Sequence, residues 1–223
     1  MKKIGATVFG LLITLCCNSQ TVYLYTPNGS AVYAFQRTEM SAADIQYYTN
    51  EFATNYPLAE VLADASLTYN CHSYAWNLIE EGVTCWLNQD PDLHLYWDDG
   101  SYELTTEANA EKVFYYSGDH SAVKSTTHSG KYESKWGAMP LMRHSPEYGP
   151  SIYNMQYRRY YHCATHNFTN QTVLTNTTVT NCGDIIVEDV SVENGAKLTL
   201  DAKGDVIINS DFEVELGSEL EIK

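Results

Sequence analysis

Residues 69–76 read Tyr-Asn-Cys-His-Ser-Tyr-Ala-Trp, and the interpretation of the rest of the chain depends on this stretch. Apolar residues recur at helical spacing from Cys71 onward and Gly82 follows them, so the pattern predicts a helix over residues 71–81. Asn70 stands at the N-cap position, where its side chain can accept a hydrogen bond from the first turn. The thiol of Cys71 therefore lies beside unpaired backbone N–H groups and the positive end of the helix dipole, which favour a thiolate.

A thiolate at Cys71 needs a base that holds its proton, and a histidine on a separate strand would supply one. Residues 112–116 predict a strand and residues 117–119 predict a turn. His120 then opens the next predicted strand. We therefore expect Cys71 and His120 to meet as nucleophile and base.

These two segments resemble the catalytic motifs of the papain-like NlpC/P60 and CHAP superfamily of small bacterial cysteine hydrolases. Cys71 opens a helix as in that family, and His120-Ser-Ala-Val is similar to its histidine motif, a resemblance that covers about residues 58–160. It implies an α+β, papain-like fold class for residues 21–165, with helices packed on an antiparallel sheet. It also implies a third polar catalytic residue on the next strand, for which Glu133 and Ser134 are both candidates.

The resemblance further implies that the thiolate attacks a peptide or amide bond, with bacterial cell-wall peptide as the expected substrate. The backbone N–H of Cys71 and a donor from Tyr69 or Asn70 would stabilise the oxyanion. Trp97 and Trp136 are candidates for contacting the substrate, although Trp97 could equally be a core aromatic residue. A second interpretation is a catalytically inactive papain-like domain that binds glycan or peptide at the cell surface. A secreted toxin would share the hydrolytic chemistry and act on a different target.

Cys71 also has structural interpretations. A single cysteine in an amphipathic helix is commonly a small buried hydrophobe. The chain has four cysteines beyond its N-terminal segment, Cys71, Cys85, Cys163 and Cys182, and an exported protein could pair them as two disulfides. We predict instead a Cys163–Cys182 disulfide between two modules, with Cys71 free. The sequence has no CxxC or HExxH spacing, so we expect no metal site and no cofactor.

The first twenty residues have the pattern of a secretory signal peptide. Lys2 and Lys3 precede an uncharged apolar run over residues 4–17, and cleavage is expected before Thr21. The apolar run is shorter than the roughly 20 residues that a membrane-spanning helix needs. A lipoprotein with lipid on Cys16 or Cys17 is the alternative. We therefore expect export to the periplasm, the cell surface or the medium.

The charge of the chain limits its partners. The formal net charge is −15, which argues against binding nucleic acid because the phosphates would be repelled. Hydrophobic residues make up 44% of the chain, so a folded core is expected, and 18 tyrosines are consistent with a surface that contacts peptide or carbohydrate. A peptide, and cell-wall peptide in particular, is the expected partner.

The segment before Cys71 is expected to supply elements that pack beside the site. Residues 21–33 alternate in part around Pro27-Asn28-Gly29-Ser30, which predicts a hairpin or a strand pair at the edge of the sheet. Ser41 is a helix cap, and the spacing predicts a helix that runs to about Asn55. Residues 58–65 predict a second, short helix.

The tail of the chain contains an internal repeat. Residues 183–186 recur as residues 204–207, and residues 190–200 recur as residues 212–222, with a period of 21 to 22. Short alternating strands with glycine at the corners are typical of a small β-solenoid. We therefore expect a linker over residues 166–182 and an all-β, solenoid-like module over residues 183–223. This module would act as a stalk, a spacer or a secretion-linked unit that could attach the protein to the cell surface, and the alternative is a passive cap on the first domain.

Overall fold

The computed structural model describes residues 20–80, 82–88 and 92–223. The predicted signal peptide, apart from its last residue, lies outside the described residues, as do Cys16 and Cys17. Among the helices of the described ranges, none has the length and apolar character needed to cross a membrane.

The described chain consists mainly of β-strands. The strands are β1 (Gln20–Tyr25), β2 (Ala31–Gln36), β3 (Glu60–Ala63), β4 (Tyr102–Leu104), β5 (Lys112–Tyr115), β6 (His120–Lys124), β7 (Tyr132–Lys135), β8 (Leu141–His144), β9 (Arg158–Cys163), β10 (His166–Val173), β11 (Thr177–Asn181), β12 (Ile185–Val192), β13 (Lys197–Ala202), β14 (Val206–Ile208), β15 (Phe212–Val214) and β16 (Glu219–Ile222). The α-helices are α1 (Ala42–Asn55), α2 (Cys71–Trp76) and α3 (Leu95–Asp98). Short 3-10 turns cover Leu78–Glu80 and Ser151–Tyr153.

The expected fold class, an α+β papain-like domain with helices packed on an antiparallel sheet, is wrong. Strands make up 40% of the structure and helices 16%, with several sheets and three described α-helices. The predicted helix over residues 58–65 is instead the strand β3, which pairs with β8. The long helix α1 begins at its Ser41 cap as predicted, yet it contains no buried residue. The helices therefore do not form the packed layer that the papain-like prediction required.

A seven-stranded antiparallel sheet in the order β3-β8-β7-β6-β5-β9-β4 holds the first part of the chain together. Its middle strands β5 and β6 are almost entirely buried, because side chains pack against both faces. One face carries Phe114 and Val123 and packs against α2, whereas the other carries Val113, Tyr115 and Ala122. Residues that alternate along β5 and β6 therefore lie in two different cores.

The predicted hairpin near the N-terminus is present. β1 and β2 pair in antiparallel register, with Tyr23 opposite Tyr33, around a turn in which Gly29 has a φ of 87°. Val32 and Ala34 are fully buried in the core that also contains α2. A bridge between Phe35 and Trp86 joins the hairpin to the segment after α2.

The tail folds as parallel coils that stack in the register of the sequence repeat. Val190 pairs with Phe212 and Leu198 pairs with Leu220, and a separate apolar cluster fills the interior of the coils. Residues 166–182, which we expected to be a linker, instead form β10 and β11. These strands pair in parallel with β12 and β13, so they are the first coil of the repeat.

The repeat is tied to the antiparallel sheet by covalent and polar contacts. The predicted Cys163–Cys182 disulfide is confirmed, with a Cα–Cα distance of 5.8 Å. The side chain of Asn181 donates to the carbonyl of Ala164 at 2.9 Å. Lys203 of the repeat forms an ion pair with Glu80, which follows α2, at 2.9 Å.

Candidate active site

Cys71 begins α2, as the sequence predicts. The Asn70 side chain caps this helix by accepting a hydrogen bond from the backbone N–H of Ser73 at 3.0 Å, and its amide donates to the carbonyl of Leu87 at 2.7 Å. The regular helix ends at Trp76, earlier than expected. Cys71 is a free cysteine and its side chain is buried.

The surroundings of Cys71 favour the thiolate. Burial raises the pKa of the Cys71 thiol, but the charges of His72 and His120 lower it by more. The resulting pKa lies well below the ordinary value for cysteine. The thiolate is the nucleophilic form of cysteine.

His120 opens β6 and is fully buried beside the cysteine. The charge of its ring lowers the pKa of the Cys71 thiol. Neither ring nitrogen, however, makes a hydrogen bond of standard geometry to any described residue. The ring is held by stacking instead, with Tyr153 at 3.9 Å and Tyr115 at 5.4 Å between centroids. Both nitrogens of His120 are therefore free to exchange a proton with a neighbouring group.

A second histidine, His72, lies next to the nucleophile, and no catalytic role was predicted for it from the sequence. Its Nε2 atom lies 2.8 Å from Asp119 Oδ1 and its Nδ1 atom lies 2.8 Å from Ser121 Oγ. In a six-residue helix that packs on the sheet, the residue after the nucleophile faces β6. The sequence signal for this contact was Asp119 immediately before His120.

Neither candidate for the third catalytic residue, Glu133 or Ser134, forms a hydrogen bond with the His120 ring. The Ser134 hydroxyl lies 2.8 Å from Nε2 of His144 and accepts a hydrogen bond from Trp136 Nε1 at 2.9 Å. His144 Nδ1 lies 2.8 Å from the carbonyl oxygen of its neighbour Ser145, so Nδ1 carries the proton and Ser134 donates to Nε2. The hydroxyl of Ser134 is thus fully used within this network.

Glu133 lies on the opposite face of β7 from Ser134. Its carboxylate accepts from Arg143 Nε at 3.0 Å and from the Tyr74 hydroxyl at 3.3 Å. Burial raises the pKa of Glu133, but its hydrogen-bonding partners, Arg143 among them, lower it by more. Glu133 is therefore part of an ion pair away from the imidazole of His120.

The residues expected to bind the oxyanion or the substrate are divided between the site and the core. Trp97 packs in the core against Tyr161 and Phe114, with centroids 4.9 and 5.3 Å away. Trp136 packs near His144 and bonds to Ser134, on the His120 side of the sheet. The Asn70 side-chain oxygen accepts from the backbone N–H groups of Ser73 and Leu87 while its amide donates to the carbonyl of Leu87, so this side chain joins the start of α2 to the segment after it.

Tyr69 lies beside a buried lysine, Lys135, that was not predicted from the sequence to belong to the site. Lys135 Nζ lies 4.8 Å from the Tyr69 ring centroid and donates to the carbonyls of Ser66 and Gly137, each at 3.0 Å. Burial lowers the pKa of Lys135 to about 7, against the opposing charges of Glu39 and Cys71. This amine holds together two loops that flank the cysteine.

The loop of residues 145–157 between β8 and β9 covers the site, and we call it the cover loop. Its Tyr153 ring stacks on His120, and its Ile152 side chain is 78% exposed. The backbone of Tyr153 packs directly on Gly118, in the turn before His120, where a Cβ atom would collide with the Tyr153 carbonyl. Cys71 is only 5% exposed in this closed arrangement.

Cys85 is the other free cysteine of the described chain, and its environment differs from that of Cys71. Its sulfur lies 3.3 Å from the Ser73 hydroxyl, on another side of α2, and burial raises the pKa of its thiol. Cys85 is thus a core residue rather than a partner of Cys71.

The described residues contain no group of three or more His, Cys, Asp or Glu side chains that could hold a metal ion.

Comparison of the chain with protein-family models, curated proteins and solved structures gives no match. The chemistry proposed for the site therefore rests on its own geometry.

Proposed function

We propose that this chain is a secreted cysteine hydrolase that cleaves peptide or amide bonds, with Cys71 as nucleophile and His120 as base. The observation that supports it is the pairing of a free thiol of strongly lowered pKa with a buried imidazole whose two nitrogens have no hydrogen-bond partner in the described chain. Buried polar atoms without partners are rare in folded proteins and require an explanation. A role in transferring the thiol proton supplies that explanation.

The proposed reaction has two steps. His120 accepts the thiol proton, the Cys71 thiolate attacks the carbonyl carbon, and the C–N bond breaks as His120 returns the proton to the leaving amine. Water then attacks the resulting thioester and gives a proton to His120, so that the carboxylic acid leaves and the thiolate is restored. The backbone N–H of Cys71 has no intrahelical acceptor in the first turn, and we assign it to the oxyanion.

Bacterial cell-wall peptide is the substrate class that we propose. The predicted signal peptide would export the protein, and the Cys163–Cys182 disulfide is of the kind that persists in oxidising compartments. The parallel repeat that follows the antiparallel sheet is proposed to attach the protein to the cell surface. Both features are consistent with a substrate outside the cytoplasm.

The test measures the rate of iodoacetamide labelling of Cys71 against pH in wild type and in His120→Ala, with Cys85 as the internal comparison. We expect Cys71 to react at pH 7, where an ordinary cysteine with a pKa of about 8.5 is only about 3% thiolate. The profile should move to higher pH in His120→Ala. The same measurement in Tyr153→Ala ensures that slow entry of the reagent does not hide the thiolate.

Turnover is tested with synthetic cell-wall peptides, by measuring newly released amino groups. Wild type should release amines, whereas Cys71→Ala and His120→Ala should not. A Cys71 that labels no faster than Cys85 at pH 7, even in Tyr153→Ala, would overturn the proposal.

A second candidate function is a surface module that binds glycan or peptide without turnover. Tyr23, Tyr25 and Tyr33 are exposed on the outer face of the β1–β2 hairpin, where Tyr23 and Tyr33 form an edge-to-face pair. Exposed aromatic clusters of this kind mark interaction surfaces. Retention on insoluble cell-wall glycan, lost in Tyr23→Ala/Tyr33→Ala but kept in Cys71→Ala and Tyr47→Ala, would favour this function.

A further inference from the structure

The histidine next to the nucleophile is held in one orientation by its partners. His72 is 2% exposed, and its two ring nitrogens each lie 2.8 Å from an oxygen, of Asp119 and of Ser121 respectively. The indole N–H of Trp76 donates to the same Ser121 hydroxyl at 2.9 Å. The ring cannot rotate without losing hydrogen bonds in a buried site, which would be costly.

This arrangement accommodates a protonated ring. An ionised carboxylate only accepts hydrogen bonds, so His72 Nε2 carries a proton toward Asp119. The Ser121 oxygen has two lone pairs and can accept from a protonated Nδ1 as well as from Trp76. Burial lowers the pKa of His72, but the charge of Cys71 and the hydrogen bond to Asp119 raise it to about 9.

His120 has the opposite environment. Its nitrogens have no hydrogen-bond partner among the described residues, whereas both nitrogens of His72 are already used. A ring that must gain and lose a proton in each cycle needs a free nitrogen beside the reacting atoms. A ring that stabilises a charge needs fixed partners instead.

We propose that Asp119 and His72 form a fixed ion pair that stabilises the Cys71 thiolate, while His120 alone transfers the proton. Asp119 is then a positioning residue that acts through His72, and the proton on His72 stays in place throughout the cycle. This inference rests on the proposed function, because it divides two roles within the same site.

Other charged and titratable groups also face the cysteine. Lys135 of β7 interacts with Cys71, but its amine is already bound by backbone carbonyls. Tyr153 of the cover loop faces Cys71 as a neutral phenol, because burial raises its pKa. Phe114 of β5 packs against the His72 ring and carries no charge. Among the charged groups near Cys71, the Asp119–His72 pair is thus the one whose charge can be changed by a single substitution at the protein surface.

Asp119→Asn is the variant that isolates the charge of the pair. The Asp119 side chain is 65% exposed and its φ is 47°, a left-handed conformation that asparagine also tolerates. The amide oxygen of asparagine can still accept the hydrogen bond from His72, so only the negative charge is lost. Asp189→Asn is the matched control, because Asp189 is exposed, has a φ of 53° and lies in the distant repeat.

The readout is the pH titration of the Cys71 thiolate, followed by its ultraviolet absorbance after subtraction of Cys71→Ala, together with iodoacetamide labelling. In Asp119→Asn we expect the titration midpoint to move to higher pH, and labelling at pH values below the wild-type midpoint to fall by about three- to tenfold. Asp189→Asn should titrate like wild type. His120→Ala should lose turnover of cell-wall peptide, whereas Asp119→Asn should retain turnover with its pH profile displaced.

The two possible failures are distinguishable. An unchanged midpoint in Asp119→Asn, with His120→Ala still displacing it, would overturn this inference and leave the proposed function intact. A wild-type midpoint at the ordinary cysteine value would overturn both.

Discussion

The ring of Tyr153 lies nearly parallel to the ring of His120, with centroids 3.9 Å apart and 13° between their planes. Because Tyr153 belongs to the cover loop, this stack closes the site over the groups that would react. Since Cys71 is only 5% exposed, we expect Tyr153 to move when a substrate reaches the sulfur. The backbone of Tyr153 rests on Gly118, where no side chain holds the two segments apart.

Gly118→Ala should therefore open the site. The added methyl group would collide with the Tyr153 carbonyl, and Gly118 is not among the residues with positive φ, so alanine is compatible with its own backbone. Displacement of the cover loop should raise the labelling rate of Cys71 by about tenfold or more. A tenfold change corresponds to a shift of about 1.4 kcal/mol in the free-energy difference between the closed and the open loop. Iodoacetamide labelling of Cys71 at one fixed pH measures the effect.

The control for this prediction is Ile152→Ala, which alters the same loop at a side chain that is 78% exposed. It should leave the labelling rate unchanged, and Tyr153→Ala should raise it. Equal rates in all four proteins would show that the cover loop does not limit access.

Ser134→Ala should lower stability without changing the ionisation of Cys71. The substitution leaves the Trp136 N–H and His144 Nε2 without their shared partner in a buried site, at a cost of about 1–3 kcal/mol. The free energy of unfolding in urea and the thiolate titration measure the two effects separately. A displaced titration in Ser134→Ala would instead mean that Ser134 acts on His120.

Features fixed by neighbouring residues were predictable from the sequence. Asn70 and Ser41 cap their helices through contacts within three residues, and the hairpin turn contains Gly29. The parallel pairing of Val190 with Phe212 follows the sequence repeat, because each coil buries the same apolar positions against the next.

Features that depend on long-range pairing were not predictable in the same way. Residues 60–63 have an apolar pattern too short to separate helix from strand, and the choice is made by pairing with β8. The two faces of β7 separate Glu133 from Ser134, and sequence spacing does not indicate which face meets His120. The contact between His72 and Asp119 joins residues 47 positions apart, so only the folded sheet reveals it.

Removal of the Cys163–Cys182 disulfide should destabilise the protein. The bond joins β9 to the first coil across a sequence separation of 19 residues. A disulfide that closes a loop of this size contributes about 3 kcal/mol to the free energy of unfolding. The urea midpoint of Cys163→Ala/Cys182→Ala should therefore fall below that of wild type. Addition of reductant should lower wild type to the same value and leave the double variant unchanged. A wild type that is insensitive to reductant would contradict the prediction.

Glu80 joins the antiparallel sheet to the repeat through two lysines. Its carboxylate lies 2.7 Å from the buried Lys112 and 2.9 Å from Lys203. Burial raises the pKa of Glu80, but the charge and hydrogen bond of Lys112, with those of Lys203, lower it by more, to about 2. Removing one partner of a buried ion pair leaves the other charge uncompensated, so Glu80→Gln should cost about 3 kcal/mol at pH 7.

The pH dependence of this cost has a definite sign. The pKa of an unfolded glutamate is about 4.3, so the stabilisation by Glu80 is present above that pH and is lost as the pH falls toward the folded value of about 2. The stability difference between wild type and Glu80→Gln, measured in urea, should therefore be about half as large at pH 3 as at pH 7. Glu147→Gln removes the partner of an exposed pair with Arg158 and should change stability little at either pH. A difference for Glu80→Gln that grows on acidification would mean that the carboxylate is not stabilised by its two lysines.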